Sequence, residues 1–374
     1  MNSGLKKELS QIFGLGGLFF LARRSPKTAA LFAGASVGFY LSSRRTEFDF
    51  RHKSVLITGG SRGLGLALAF ELLEEGANLT LVARKLWELD KARELLLQKY
   101  PSASVHIAVA DVTKHDQLAA AIRQTLNRYG TLDVLINNAG AISVGPFDAM
   151  QRKDFEAMLE LHFYAVLESV KLVRPIFKLK GGGRIVNICS LGGRVSVPHM
   201  IPYGVSKFAL AGLSQGLSAE LRSENITVTT VYPTLLKTGS PIQAVFKGDH
   251  EKEFAWFNTA DNFPGLTMPA PVAARKILQA VRNGDSETVL SYFGKARLLA
   301  SSVFPETLNF MMQVLSGLMP NGISTRLQTG AQSRALFDRA WYLKPLKESA
   351  AQTEKELNQE PGADPAFNLG QKLH

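Results

Sequence analysis

Three patterns of hydrophobic and polar positions follow one another along the chain. Two apolar runs separated by basic residues occupy residues 12–41. From residue 54 to about 290, short β-branched runs alternate with stretches of helical periodicity, and a Leu- and Met-rich stretch follows at 296–319. Alternating strands and helices are typical of a doubly wound parallel sheet. We therefore predict an α/β domain between an apolar N-terminal segment and a C-terminal helical extension.

The first fifty residues are both apolar and basic. The apolar runs at 12–22 and 29–41 are shorter than the roughly 20 residues of a bilayer span, but flanking Lys and Arg side chains can extend a short span. Residues 1–53 hold nine basic and three acidic side chains, so they carry +6 of the chain's net charge of +11. Gly34 and Gly38 form a G-x-x-x-G pattern, which suits close helix packing.

We interpret residues 1–50 as a membrane anchor, either a short transmembrane helix or a re-entrant segment. Two other interpretations stay open: an amphipathic segment or cover that packs on the protein itself, and a cleaved targeting signal. Basic side chains beside apolar runs suit anionic lipid headgroups better than a DNA groove. We therefore expect contact with a membrane, the remaining chain on the cytoplasmic side, and no nucleic acid.

A glycine-rich turn connects the first strand of the α/β region to its first helix. Residues 54–58 are a β-branched run, and helical periodicity then continues to about Gly76. Glycine lets the backbone approach a pyrophosphate, and a helix N-terminus supplies free N–H groups. The order strand, glycine turn, helix therefore predicts a dinucleotide site rather than a simple tight turn. Its candidate residues are Gly59, Ser61, Arg62, Gly63, Leu64 and Gly65.

The residues at the end of the second strand indicate which dinucleotide the site prefers. The strand at 79–82 ends at Ala83 and Arg84, where an acidic side chain would bind the 2′-hydroxyl of NAD(H). Arg84 and Arg62 instead offer positive charge, which suits a 2′-phosphate. We therefore predict that NADP(H) is preferred over NAD(H).

The third and fourth strands also end at candidate residues. The strand at 105–110 leads to Asp111, which can accept a hydrogen bond from an adenine amino group, cap the following helix, or do both. The strand at 134–136 leads to an Asn-Asn-Ala-Gly sequence. From these two strand ends we add to the cofactor site Asp111, Val112, Asn138, Ala139 and Gly140.

Candidate acid–base chemistry follows the fifth strand. That strand, residues 184–190, ends at Ser190, and Tyr203 and Lys207 come later with a spacing of four. This spacing places both side chains on one face of a helix. Tyrosine, with a reference pKa near 10, is a poor acid–base group at neutral pH, and a neighbouring ammonium lowers that pKa. We therefore predict that Tyr203 and Lys207 act together.

In this order the motifs resemble those of the classical short-chain dehydrogenase/reductases, closely over residues 50–240 and weakly to about 295. The resemblance implies one Rossmann-type domain with a seven-stranded parallel sheet, and hydride transfer between nicotinamide and a carbonyl or secondary alcohol. It also implies that Tyr203 donates the proton in reduction, that Lys207 lowers its pKa and binds the nicotinamide ribose, and that Ser190 holds the substrate oxygen. Near the nicotinamide it places Pro233 and Thr238.

Two positions depart from the family pattern. The family's catalytic asparagine is matched by His162, and Thr234 replaces the glycine that follows Pro233 in the family's turn. His162 either holds a water or relays a proton, or it is a buried and hydrogen-bonded core residue. We include His162 among the catalytic candidates.

The remaining segments are less specific. Residues 239–270, where the resemblance places a substrate loop, hold aromatic side chains that form either a lid over an apolar substrate or ordinary packing. These are Phe246, Phe254, Trp256, Phe257 and Phe263. Pro305 interrupts the apolar extension, and the last thirty residues are polar and resemble a loose tail. We divide the chain into an anchor (1–50), a nucleotide-binding domain (51–295), an apolar helical extension (296–343) and a polar tail (344–374).

Composition excludes several classes of protein and of metal site. With 45% hydrophobic and 20% charged residues, the chain is neither disordered nor a polytopic membrane protein, and a single cysteine, Cys189, excludes a Cys-rich zinc site. We expect a membrane-associated, metal-free, NADP(H)-preferring oxidoreductase of an apolar, lipid-like ketone or alcohol, and leave a homodimer or homotetramer open. The alternative from another class is a membrane-tethered, non-catalytic NADPH sensor or scaffold, for which His162 is the supporting feature.

Overall fold

The computed structural model describes residues 3–22, 25–43, 47–263, 267–340 and 343–359. The strands are β1 (Ser54–Thr58), β2 (Asn78–Ala83), β3 (Val105–Val109), β4 (Val134–Asn137), β5 (Ser143–Val144), β6 (Gly183–Ile188), β7 (Ile226–Tyr232), β8 (Leu236–Lys237), β9 (Val245–Phe246), β10 (Met268–Pro269), β11 (Glu287–Val289) and β12 (Gln328–Thr329).

The helices alternate with these strands through most of the chain. They are α1 (Ser3–Ala22), α2 (Pro26–Ser43), α3 (Gly63–Glu74), α4 (Leu86–Lys99), α5 (His115–Tyr129), α6 (Arg152–Leu159), α7 (Ala165–Leu179), α8 (Ile201–Glu220), α9 (His250–Asn262), α10 (Ala270–Asn283), α11 (Tyr292–Val303), α12 (Pro305–Gly317), α13 (Gly330–Ser333), α14 (Ala335–Arg339) and α15 (Lys344–Glu356).

Seven strands form one parallel sheet in the order β11-β7-β6-β4-β1-β2-β3. This confirms the predicted Rossmann-type fold. The chain proceeds from β1 outward to β3 on one side, and from β4 outward through β6 and β7 on the other, so the strand order reverses between β1 and β4. In such sheets a crevice opens at this reversal, beyond the carboxyl ends of the strands. Every predicted cofactor motif lies at one of these strand ends.

Both faces of the sheet are covered by helices. Helices α3, α4 and α10 pack on one face, and their core includes Leu68, Leu89 and Ile277. Helices α5, α7 and α8 pack on the other face, where Ile122 and Phe177 are buried. Because both faces are covered, the strands are continuous apolar runs rather than alternating ones, which is why the sequence pattern located them well.

A smaller layer lies beyond the main sheet. Strands β12, β9 and β5 form a three-stranded sheet, and β10 pairs with β8. Of the five aromatic residues predicted as lid or packing, Phe246, Phe254 and Phe257 are buried, together with Phe337. Ordinary packing therefore accounts for Phe246 and Phe254, whereas Phe257 also lines a cavity and Phe263 is exposed.

The N-terminal helices α1 and α2 pack against each other as a hairpin. The Ser36 hydroxyl donates to the Ser10 carbonyl (2.7 Å), and the rings of Phe13 and Phe32 lie 5.5 Å apart. Gly34 and Gly38, whose spacing suits close helix packing, are not where these two helices meet, because a Cβ at either position would meet no atom within 4 Å. The close approach occurs instead at Gly16 and Gly17, against Phe32.

Among the helices in the described ranges, none is both long and apolar enough to cross a bilayer. The predicted transmembrane anchor is therefore not supported. The hairpin exposes large apolar side chains, which are Ile12, Leu15, Leu18, Phe19, Leu21, Leu31 and Val37.

The C-terminal part is more ordered than its polarity indicates. Pro305 begins α12, as expected for a residue that interrupts the apolar stretch. Residues 344–356 form helix α15 and are not a loose tail. Ala350 and Thr353 of this helix are buried, so a narrow face packs on the domain even though the segment is polar overall.

Candidate active site

One cavity of about 1080 Å³ follows the carboxyl edge of the parallel sheet. The predicted site residues on its wall are Gly59, Ser61, Arg62, Gly63, Leu64, Arg84, Asp111, Val112, Asn138, Ala139, Gly140, His162, Ser190, Tyr203, Lys207, Pro233 and Thr238. Gly65 does not line this cavity. A Cβ at Gly65 would overlap the Gly59 carbonyl oxygen, so this glycine serves the packing of the turn.

The glycine turn is held in shape from the neighbouring strand. Gly59 and Gly63 have φ angles of +65° and +56°, a conformation that other residues rarely adopt. The Asn138 side-chain amide donates to the carbonyls of Thr58 (3.1 Å) and Gly59 (3.0 Å). The amide of Asn138 therefore braces the turn, and it shapes the cofactor site through the backbone that it holds.

The charged end of the cavity contains a carboxylate that the sequence analysis missed. Arg62 donates to Glu88 at 3.1 Å, the Lys85 ammonium lies 3.8 Å from the same carboxylate, and the Ser61 hydroxyl donates to it at 3.3 Å. Burial lowers the pKa of Arg62, Glu88 raises it, and nearby Arg84 lowers it again. Two cations, Arg62 and Lys85, thus face one carboxylate, and Arg84 lines the same cavity. The sequence signal was available but unspecific, because an acidic residue in the first turn of a helix is common.

Asp111 occupies the cavity wall at the end of β3. Its carboxylate accepts from the Thr113 backbone N–H (3.0 Å) and hydroxyl (2.8 Å). Helix α5 begins later, after Lys114, so Asp111 stabilises the turn before the helix and is not its N-cap.

Three of the four predicted catalytic side chains come from two elements. Ser190 follows β6, and Tyr203 and Lys207 lie on α8, so the predicted helical spacing is confirmed. The Lys207 ammonium donates to the Ile188 carbonyl at 3.0 Å and lies 5.7 Å from the centre of the Tyr203 ring. Ser190 hydrogen-bonds the Tyr203 hydroxyl. The single cysteine, Cys189, is buried in the core, as predicted.

Burial sets the protonation of this group. It raises the pKa of Tyr203 to about 12, although the hydrogen bond with Ser190 lowers it, and it lowers the pKa of Lys207 to about 8. Burial therefore raises the pKa of Tyr203, contrary to the lowering by Lys207 that we expected. The cause is that a buried phenolate loses more hydration than the neighbouring groups replace.

His162 lies in a single π-helical turn, Glu160–Tyr164, between α6 and α7. Its Nε2 accepts the Ala141 backbone N–H at 3.2 Å, so Nδ1 carries the proton and donates to the Ser206 hydroxyl at 2.8 Å. Ser206 in turn donates to the Tyr203 carbonyl at 2.7 Å. Burial and the Lys207 charge hold the pKa of His162 well below its usual range. Both ring nitrogens are thus engaged in a neutral imidazole.

The opposite end of the cavity is mainly apolar. Its wall there includes Ile142, Val197, Met200, Phe257 and Phe293. Two charged residues that the sequence did not indicate also line it. Asp261 Oδ2 and Arg297 Nε are buried and have no hydrogen-bond partner among the described residues. Burial raises the pKa of Asp261 to about 8.

The family model described as short chain dehydrogenase matches residues 53–245, just over half of the chain. This chain belongs to the short-chain dehydrogenase family. It is therefore an oxidoreductase that acts on alcohol or ketone groups with a nicotinamide cofactor.

Relatives of this dehydrogenase match its nucleotide-binding domain. A 3alpha-hydroxysteroid dehydrogenase from Mediterraneibacter gnavus is 32% identical over 188 residues, covering 50% of this chain and 75% of that protein. An uncharacterized oxidoreductase, YvrD, from Bacillus subtilis is 35% identical over 187 residues, covering 50% and 70%. The structure of a short-chain dehydrogenase from Streptomyces avermitilis superposes with a TM-score of 0.61 at 27% identity, covering 71% of this chain and 98% of the other.

This dehydrogenase also has a site residue in its C-terminal segment. Gln359, which follows α15, lines the cavity beside the glycine turn. The polarity of the sequence assigns Gln359 to the tail, and no local pattern marks it as a site residue, because its position depends on how α15 packs against a domain that begins about three hundred residues earlier.

Proposed function

We propose that this dehydrogenase is an NADP(H)-preferring oxidoreductase of apolar ketones or alcohols, with Tyr203 as its acid–base group. One observation carries the proposal. Ser190, Tyr203 and Lys207 share a cavity whose other end is lined by Arg62 and Arg84. One continuous cleft thus holds the reactive groups and a cationic end, and a dinucleotide with a 2′-phosphate could extend from one to the other.

The donor set at the cationic end fits a 2′-phosphate, which carries close to two negative charges at neutral pH. Arg62, Arg84 and Lys85 supply three positive charges, and Glu88 removes one. Glu88 is itself engaged by Arg62 and Ser61, so it is not poised as a free acceptor for a 2′-hydroxyl. The bound cofactor would supply the nicotinamide ring that gives or takes the hydride.

The proton chemistry follows from the two shifted pKa values. With a pKa of about 12, Tyr203 is protonated at neutral pH and can donate its hydroxyl proton to a substrate oxygen during reduction. Lys207, with a pKa of about 8, is mainly charged at pH 7 and stabilises the phenolate that forms. Ser190, already hydrogen-bonded to Tyr203, is placed to hold the substrate oxygen.

We assign His162 a positioning role within this scheme. A proton relay needs a ring nitrogen free to accept and release a proton, and both nitrogens of His162 are engaged by Ala141 and Ser206. Through Ser206 the imidazole is linked to the backbone of Tyr203, so it fixes the start of α8. His162 was the feature that supported the alternative of a non-catalytic NADPH sensor or scaffold, and a positioning role removes that support.

The substrate is inferred from the apolar end of the cavity. The side chains of Val197, Met200, Phe257 and Phe293 on its wall favour a carbonyl compound with a large apolar body. The similarity to a 3alpha-hydroxysteroid dehydrogenase supports the same substrate class.

We also propose that the α1–α2 hairpin associates with a membrane surface. Its exposed Ile12, Leu15 and Leu31, together with the +6 charge of residues 1–53, suit an anionic leaflet. Such lipid lies on the cytoplasmic side, where we place the catalytic domain. Partition of an apolar substrate into the same membrane would bring it close to the cavity.

The proposal is tested by NADPH oxidation with full-length protein over ketones of increasing chain length. We expect kcat/KM to rise with apolar length, and Tyr203→Phe to reduce turnover by about 10³-fold while NADPH binding persists. Tyr164→Phe, an exposed tyrosine, serves as the matched control and should keep its activity. Full turnover by Tyr203→Phe would exclude the acid–base role, and turnover confined to small hydrophilic ketones would exclude the substrate class.

A further inference from the structure

The segment that follows α15 lies across the cofactor end of the cavity. We call residues Leu357–Gln359 the C-terminal strap. Leu357 is buried in the core that also contains α3, and its carbonyl accepts the backbone N–H of Gly63 at 2.9 Å. The strap is therefore attached to the glycine turn itself.

Asn358 adds two hydrogen bonds at the same place. Its side-chain amide donates to the carbonyls of Ser61 (2.9 Å) and Glu88 (3.0 Å), which belong to the glycine turn and to α4. Its φ angle of +55° lies in the left-handed region, which asparagine tolerates better than most residues. This local conformation turns the chain so that Gln359 follows over Gly63.

Gln359 connects the strap to the opposite wall. Its backbone carbonyl accepts from the Gln243 side chain at 3.1 Å, and a Cβ at Gly239 would lie 3.2 Å from its Cγ. Its amide Nε2 lies 2.8 Å from the place where a Cβ of Gly63 would be. The strap thus bridges the glycine turn and the segment after β8.

Gln359 also has unused hydrogen-bonding capacity. It is 4% exposed, it lines the cavity, and its Oε1 has no partner among the described residues. Leaving a buried amide oxygen unpaired is unfavourable, and a bound molecule with a hydroxyl or amide donor would remove that cost. The cavity retains about 1080 Å³ with the strap in place, so the strap covers this site without filling it.

We propose that the C-terminal strap is a cofactor clamp, in which the Gln359 side chain binds the pyrophosphate–ribose part of NADP(H) and the strap slows its release. This inference rests on the proposed function, because it requires that the cleft takes a nicotinamide dinucleotide. The amide can donate through Nε2 to a phosphate oxygen and accept through Oε1 from a ribose hydroxyl. The strap bonds to Ser61, Gly63 and Gln243 hold it across the cleft.

The test measures NADPH dissociation from the full-length protein by stopped-flow fluorescence. We expect Gln359→Ala to accelerate dissociation roughly fivefold and a chain ending at Glu356 to accelerate it roughly 30-fold, since each lost hydrogen bond to a charged or buried group contributes a factor of this order. Gln352→Ala is the matched control, because Gln352 is an exposed glutamine on α15, and it should leave the rate unchanged. Gln359→Ala keeps Leu357 in the core, so it remains informative if the shortened chain is unstable.

A second measurement does not depend on activity. Lys355 is exposed next to the strap, and tryptic cleavage there requires the strap to open. We expect NADPH to slow this cleavage in the full-length protein and to lose most of that effect in Gln359→Ala.

The outcomes separate this inference from the proposed function. Equal dissociation rates and equal protection in all variants would overturn the clamp while NADPH binding stands. Binding only by the shortened chain would show that the strap blocks the site, which also overturns the clamp. Failure of every form to bind NADPH would overturn both.

Discussion

The two ends of the cavity differ in how the chain builds them. The cofactor end is formed mainly where strands meet the next turn or helix, as at the turn from Thr58 to Gly65 between β1 and α3. The substrate end collects side chains from segments far apart in the chain, among them Ile142, Phe257, Phe293 and Gln332. The residues of the cofactor end are therefore mostly predictable from local sequence order, whereas those of the substrate end depend on tertiary packing.

The difference also extends to charge. At the cofactor end, Arg62 and Lys85 share the Glu88 carboxylate, so each buried charge there has a partner although the end as a whole keeps a positive surplus. At the substrate end, Asp261 Oδ2 and Arg297 Nε are buried without partners among the described residues. A buried polar or charged group without a partner destabilises the folded state. Such groups are found more often at functional sites than elsewhere. Substitutions at Lys207, Asp261 and Glu88 test this difference in charge pairing between the two ends.

Among the tests of this comparison, the largest effect on activity is expected at Lys207, which lies between the two ends. Burial lowers its pKa to about 8, so the lysine is charged below that pH and loses its charge above it. We expect kcat/KM to decline above pH 8, a profile that reports the free enzyme. Lys207→Met should cost about 100-fold at pH 7 and remove this decline. In Lys207→Arg, which stays charged, the decline should move to higher pH, and an unmoved decline would show that another group causes it.

The next effect concerns stability at the substrate end. Burial raises the pKa of Asp261 from 3.8 to about 8, so the folded state binds a proton that the unfolded state releases between these values. The favourable contribution of Asp261 is complete below about pH 4 and is lost as pH rises through 8. Asp261→Asn mimics the protonated form, and we expect it to be more stable than the parent by several kcal/mol at pH 8, up to about 5, since each unit of the pKa shift corresponds to about 1.4 kcal/mol, with no gain at pH 4. Denaturant unfolding at both pH values measures the difference.

An exposed aspartate provides the control for that prediction. Asp148→Asn changes the same chemical group at a solvent-exposed position, so the difference in stability between this variant and the parent should be nearly the same at pH 4 and at pH 8. If Asp261→Asn behaved in the same way, the carboxyl would be compensated after all, and the contrast between the two ends would fail.

The same contrast explains which sequence predictions succeeded. The β1 run at 54–58 and the Tyr203–Lys207 spacing depend on neighbours a few residues away, and the structure contains both as predicted. The partner of Arg62 and the position of Gln359 depend on contacts across the fold; the bond from Asn358 to Ser61 joins residues 297 positions apart. The Gly34–Gly38 pattern shows the same limit of sequence reasoning. Its spacing shows which helix face carries small residues, but not which helix packs against that face.

The smallest effect sharpens the comparison at the cofactor end. If Arg62, Arg84 and Lys85 serve a 2′-phosphate, Glu88 opposes it, and Glu88→Gln should lower the Kd for NADPH about fivefold, the effect of removing one partly screened charge several ångströms away. Arg84→Ala should raise that Kd by about tenfold, and NADH binding should change little in either variant. Fluorescence titration with both cofactors measures the four constants. An equal gain for NADH in Glu88→Gln would mean that the carboxylate acts on a part common to both cofactors, and the cationic end would then lose its link to the 2′-phosphate.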